Sequence, residues 1–152
     1  MQIHRIQIPI YDKTVTLIIC SEELGKEYLQ KEYDIEYSLV GSYGQFITVD
    51  YVSKGISSFV LWLNPDYTQG TLIHELLHAS WSLLDYVGIK LTENNHEAQA
   101  YLLDYLYTQV MNITAEQDGI KELIDGDSKE KHTNTQRQEE SIQAILNFDP
   151  PS

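Results

Sequence analysis

Basic residues are scarce in this chain: Lys and Arg number 10 against 23 Asp and Glu, for a formal charge of −13. Nucleic-acid surfaces need a concentrated positive patch, so this balance argues against a nucleic-acid partner and favours solubility or a basic partner. Cysteine is scarcer still. Cys20 stands alone, which leaves no intrachain disulfide, and its neighbours Leu17, Ile18 and Ile19 predict a buried, inert thiol in a reducing compartment. Long apolar runs are missing: no stretch approaches the roughly 20 residues that span a bilayer, and Met1 to Ile6 lacks a signal peptide's apolar core. The expectation is a cytoplasmic protein without a membrane partner. With 152 residues, 42% of them hydrophobic, the chain suits one well-filled core and excludes a large multidomain enzyme.

Against these absences stands His74-Glu75-Leu76-Leu77-His78, an HExxH pentapeptide within an apolar run from Leu72 to Leu84 that predicts one helix. Residues four apart share a helix face, so His74 and His78 can present two imidazoles to one metal ion while Glu75 flanks its water. At ordinary residue frequencies the pentapeptide arises by chance in roughly one chain of this length in a few hundred. Leu72, Ile73, Leu76, Leu77, Ala79, Leu83 and Leu84 are expected to bury most sides of the helix. That would leave two histidines and a glutamate to be satisfied in the interior, and a metal would satisfy them.

A catalytic zinc ion usually takes three protein ligands and one water. The metzincin spacing requires a Gly three residues and a His six residues after His78; those positions hold Trp81 and Leu84, so that class is excluded. The remaining donors lie in Asn94-Asn95-His96-Glu97-Ala98-Gln99-Ala100-Tyr101, where a second helix opens and runs to about Val110. Glu97 stands 19 residues past His78.

Over roughly Thr71 to Met111 the chain resembles the gluzincins, zinc peptidases whose third ligand is a Glu on the helix after the HExxH helix, about twenty residues on. It looks in particular like short single-domain metallopeptidase-like proteins of bacteria and their phages, in which HExLH is followed by a Glu-x-x-Ala segment, here Glu97-Ala98-Gln99-Ala100. The resemblance implies a zincin-like α+β fold, with Zn2+ held by His74, His78 and Glu97. It also implies Glu75 as the general base, hydrolysing a peptide or protein substrate. Glu97 has a competing use, since Asn94 and Glu97 have capping-box spacing, and His96 is the substitute ligand. Asp85 and Asp104 are candidates to support the ligating histidines, and Tyr101 to donate to an oxyanion; an ordinary interface role is at least as good a reading for Asp85 and the better one for Tyr101, while for Asp104 the two readings stand nearly level.

The remaining pattern predicts a hairpin from Ile3–Ile10 and Thr14–Cys20 across Tyr11-Asp12-Lys13, and a helix from a Ser21 cap to Tyr33. Strands follow at Gln45–Val52 and Ser58–Leu63 with Lys54-Gly55 between them, and Asn64-Pro65-Asp66 ends the sheet. A small N-terminal mixed or antiparallel sheet thus packs on the HExxH helix and the Glu-bearing helix. By the resemblance, Phe59–Leu63 is either the edge along which an extended peptide adds or an ordinary core strand. Residues 1–124 form the domain. Residues 125–152 comprise a polar linker, holding a solvated His132, and an apolar spacing at Ile142, Ile145, Leu146 and Phe148 that suits a short helix. Two functions fit: a small zinc-dependent peptidase of narrow specificity, or a metal-stabilised binding domain without hydrolysis.

Overall fold

In the computed structural model the described residues are 1–51 and 56–117. Their order is β1 (Gln2–Ile8), a 3-10 turn (Pro9–Tyr11), β2 (Lys13–Ile19), α1 (Glu22–Tyr33), β3 (Gly44–Tyr51), β4 (Ile56–Leu63), α2 (Gln69–Tyr86) and α3 (His96–Gln117). The fold is α+β with a four-stranded mixed sheet, as the patterning predicts. Strand order is β1-β2-β4-β3: β1 and β2 form the antiparallel hairpin, β2 runs parallel to β4, and β3 returns antiparallel on the outside. The segments 125–152 and Lys54-Gly55, with His132, lie outside the described residues.

Alternation along the strands sorts the side chains onto two faces. Ile6, Ile8, Val15, Leu17, Phe59, Leu61 and Leu63 point to α2 and α3, joining Leu72, Leu76, Leu83, Leu102 and Leu106. Ile18, Cys20, Ile47, Val49, Val60 and Trp62 point the other way, to Leu29 of α1 and to Leu39. Gly25 lets α1 come close, because a Cβ there would stand 2.6 Å from Trp62 Nε1 and 2.9 Å from Leu39 Cδ1. Cys20 is buried as expected, and burial pushes its thiol up, which keeps the reactive thiolate scarce.

The alternative reading of Phe59–Leu63 as an edge is corrected. Strand β4 has a neighbour on each side, and Phe59 to Leu63 are all at most 1% exposed. An unbroken apolar run suits a strand covered on both faces, where burial contributes about 1.5–3 kcal/mol per large side chain. The edges are β1 and β3.

Local chemistry sets the helix ends. Ser21 precedes α1 as predicted, but its side chain makes no capping bond to the backbone. Thr68 caps α2, its hydroxyl accepting from the Thr71 N–H at 3.1 Å. At the far end Gly88 takes φ 84°, and the Ile89 N–H reaches back to the Leu84 carbonyl at 2.8 Å, a Schellman closure. The Gln69 amide donates to the Tyr107 hydroxyl at 2.5 Å, joining the start of α2 to the middle of α3. Helix α3 extends to Gln117, beyond the expected Val110. Among the described residues no helix is long and apolar enough to cross a membrane.

Candidate metal centre

One side of α2 rests on the sheet and on α3, burying Leu72, Glu75, Leu76, Ala79, Ser80, Leu83 and Leu84. The expectation that apolar residues cover most of the helix is therefore corrected. Ile73 and Leu77 are each 45% exposed and Trp81 60%, because nothing among the described residues covers the outer side of α2. These three follow i, i+4, i+8 spacing and make an apolar stripe beside the histidines. His74 and His78 are exposed as well, so neither is left unsatisfied in the interior, and Glu75, the one buried member of the three, finds a partner in the sheet.

The histidines converge. Their Nε2 atoms stand 3.2 Å apart, with ring planes at 76°. Two neutral imidazole nitrogens at that distance require either that one donates to the other or that both lone pairs face a common cation. For zinc with Zn–N near 2.0–2.1 Å, a tetrahedral edge is about 3.3 Å. The 3.2 Å separation of the pair is close to that edge.

Glu75, 9% exposed, is satisfied by the sheet: its Oε2 accepts from the backbone N–H of Phe46 on β3 at 2.8 Å. His74, Glu75 and His78 line one cavity of about 350 Å³ with Gly44, Phe46 and Thr48 of β3. Gly44 permits this approach: a Cβ there would lie 2.8 Å from Thr71 Cγ2, 3.0 Å from Leu63 Cδ2 and 3.2 Å from Glu75 Cγ. The loop before β3 is tied by the Asn64 N–H donating to the Tyr43 carbonyl at 2.9 Å and by the Ser42 hydroxyl donating to the Gly44 carbonyl. A second recess of about 430 Å³, lined by Arg5, Tyr28, Glu32 and Tyr33 among others, contains no histidine.

Glu97 is not with the pair. It lies in the first turn of α3, its side chain 66% exposed, with Oε1 3.5 Å from His96 Nε2. Among the described residues no three His, Cys, Asp or Glu side chains are gathered to hold a metal. The capping-box alternative for Glu97 does not form either, because α3 begins one residue later than Asn94 would require. Asn95 is the residue before the helix, and its side chain serves the preceding loop, accepting from the Thr92 N–H at 2.6 Å and donating to the Lys90 carbonyl at 2.7 Å. His96 Nδ1 lies 2.9 Å from the Glu93 carbonyl, and its ring is 68% exposed. Asp85 and Asp104 are exposed, with no hydrogen bond to either HExxH histidine among the described residues, and half-buried Tyr101 is not in the cavity wall.

Sequence reasoning missed the Phe46 amide and Gly44. A backbone donor on a distant strand leaves no mark in the sequence. Gly44 left one, since a glycine opening a β-rich run signals close approach of another element as readily as a turn. No known protein family matches the chain, and neither a curated protein nor a solved structure does.

Proposed function

We propose that the chain is a zinc-dependent peptidase in which His74, His78 and Glu97 hold the metal and Glu75 is the general base. The observation that carries the reading is the 3.2 Å convergence of His74 and His78 in one cavity with buried Glu75. A zinc ion held there would polarise the scissile carbonyl and lower the pKa of the attacking water to about 7. Glu75 would take a proton from the attacking water and return it to the departing amine, as a C–O bond forms and the C–N bond breaks.

Glu97 completes the ligand set by a local movement of the first turn of α3. Its side chain is weakly held: the contact with His96 is long, and both side chains are two-thirds exposed, so solvent screens the pair. The stripe of Ile73, Leu77 and Trp81 beside the histidines supplies apolar surface for a protein substrate. The outward position of Glu97 specifically favours the second reading, a metal-stabilised binding domain, in which zinc is bound without hydrolysis.

Zinc titration by calorimetry, followed by assay on unfolded protein substrates, separates the two. The peptidase reading expects one zinc per chain, lost in His78→Ala, weakened at least about tenfold in Glu97→Ala, and kept in Glu75→Gln with hydrolysis abolished. Zinc bound without hydrolysis in the wild type would select the binding domain. No zinc bound by any form would end both.

A further inference from the structure

Among the described residues strand β3 has a strand neighbour, β4, on one side only, so the backbone groups on its other side have no strand partner. Within a strand the N–H and C=O of alternate residues point to the same side. The Phe46 N–H is used by Glu75 and faces away from β4; by the same alternation the backbone groups of Gly44 and Thr48 face outward too. These residues also line the cavity that holds the histidines. Of the outward amides, that of Gly44 donates to its near neighbour Ser42 Oγ at 3.3 Å, whereas that of Phe46 meets a carboxylate oxygen from another element at 2.8 Å, the distance and chemistry of a strand carbonyl. The strongest acceptor in the cavity therefore stands where the backbone of an added strand would bond.

We propose that Glu75 is a displaceable cap on the β3 edge: an extended peptide adding beside β3 takes the Phe46 N–H with its own carbonyl and so releases the Glu75 carboxylate toward His74 and His78. The occupant is an extended polypeptide segment, since only a backbone offers carbonyls at the two-residue repeat that matches Phe46 and Thr48. Until a peptide arrives, the base is held on the sheet and the edge is closed to other strands. Arrival of the peptide exchanges one hydrogen bond for another, so little is lost in the release, while the freed carboxylate comes to face the reacting centre. The functional meaning rests on the peptidase reading above; the capping itself does not.

The test uses full-length protein as purified, with an EDTA-treated sample alongside, and a capped hexapeptide of alternating Thr and Val as probe. Amide exchange by NMR reports the cap. The Phe46 N–H is expected to exchange slowly in the wild type and at least about tenfold faster in Glu75→Ala. Titration with the probe is expected to shift the amides of Phe46 and Thr48, and to bind Glu75→Ala about tenfold more tightly than the wild type, because no cap has to leave. Glu75→Gln, which keeps the shape with a weaker acceptor, is expected to fall between them, so a folding defect in the alanine variant does not decide the matter. Equal or weaker binding by Glu75→Ala, shifts confined to another surface, or no binding by any form would overturn the proposal. Because no readout depends on hydrolysis, tighter binding without zinc affinity would sink the peptidase reading and leave the cap standing. Zinc-dependent hydrolysis with an unprotected Phe46 amide would do the reverse.

Discussion

The two edges of the sheet are closed by different chemistry. On β1, the Tyr105 hydroxyl from α3 donates to the Gln7 carbonyl at 2.7 Å; on β3, the Glu75 carboxylate from α2 accepts from the Phe46 N–H at 2.8 Å. Each helix on this face therefore sends one side chain to one edge. A phenol is a neutral donor, and burial pushes Tyr105 up, so it stays protonated across the physiological range. A carboxylate is an acceptor that can also bind a proton or a metal, and it sits beside two convergent histidines. The β1 edge is built to stay shut. The β3 edge is closed by the group that the proposed function also uses as its base.

The largest effect that would sharpen this contrast is metal linkage. A ligand that binds only the folded state stabilises it by about 2.7 kcal/mol when present at 100 times its Kd. Zinc at that excess should raise the melting temperature, EDTA should reverse the rise, and His74→Ala or His78→Ala should abolish it, while Tyr105→Phe leaves the rise unchanged. Loss of the zinc response in Tyr105→Phe would show that the two edges are not independent.

Next comes the packing that brings β3 to α2. In Gly44→Ala the new methyl would meet Thr71, Leu63 and the Glu75 stem at 2.8–3.2 Å, too close for ordinary contact. Overpacking of this kind costs about 1–3 kcal/mol. Urea denaturation should report that loss, together with faster exchange at the Phe46 amide. A neutral Gly44→Ala would mean that β3 is held to α2 more loosely than Gly44 and Glu75 suggest.

At the β1 edge, Tyr105→Phe removes one hydrogen bond and should cost about 0.5–1.5 kcal/mol. Because the pKa of Tyr105 is raised in the folded state, its contribution is fully present below the ordinary tyrosine value. It is lost as pH rises from there through the higher folded value. The wild type should therefore lose stability above about pH 10 more steeply than Tyr105→Phe, measured by melting across that range. Identical slopes would remove Tyr105 from the account of that edge.

How far these edges could be read in advance depended on where their signals sit. The HExxH spacing put His74, Glu75 and His78 on one helix turn, and the hairpin and α1 followed from alternation and a Ser21 boundary. The central place of β4 was written in the unbroken run Phe59 to Leu63, which a one-sided edge strand would not carry. The burial of α2 was misjudged because Ile73 and Leu77 are apolar on a side that neither the sheet nor α3 reaches. Apolar identity marks what a helix can bury, and only the arrangement of its neighbours decides what it does bury. The Tyr105 and Glu75 closures each join a side chain to a backbone group far away in sequence, and no local pattern encodes a partner of that kind.

The smallest effect is the one that separates Glu97 from the rest of its proposed site. Its side chain is 66% exposed and its one ionic contact, with His96, is long and solvated, so the metal-free fold has little use for it. In EDTA, Glu97→Ala should unfold within about 0.5 kcal/mol of the wild type, the range of ordinary surface substitutions. A ligand recruited by movement has this profile: absent from the stability of the empty protein and present in its affinity for zinc. Were Glu97→Ala instead to destabilise the metal-free protein by more than about 1 kcal/mol, Glu97 would already be making contacts in the empty fold. Its outward position would then no longer describe the protein in solution, and the contrast between a fixed pair of histidines and a mobile third ligand would fail at that residue.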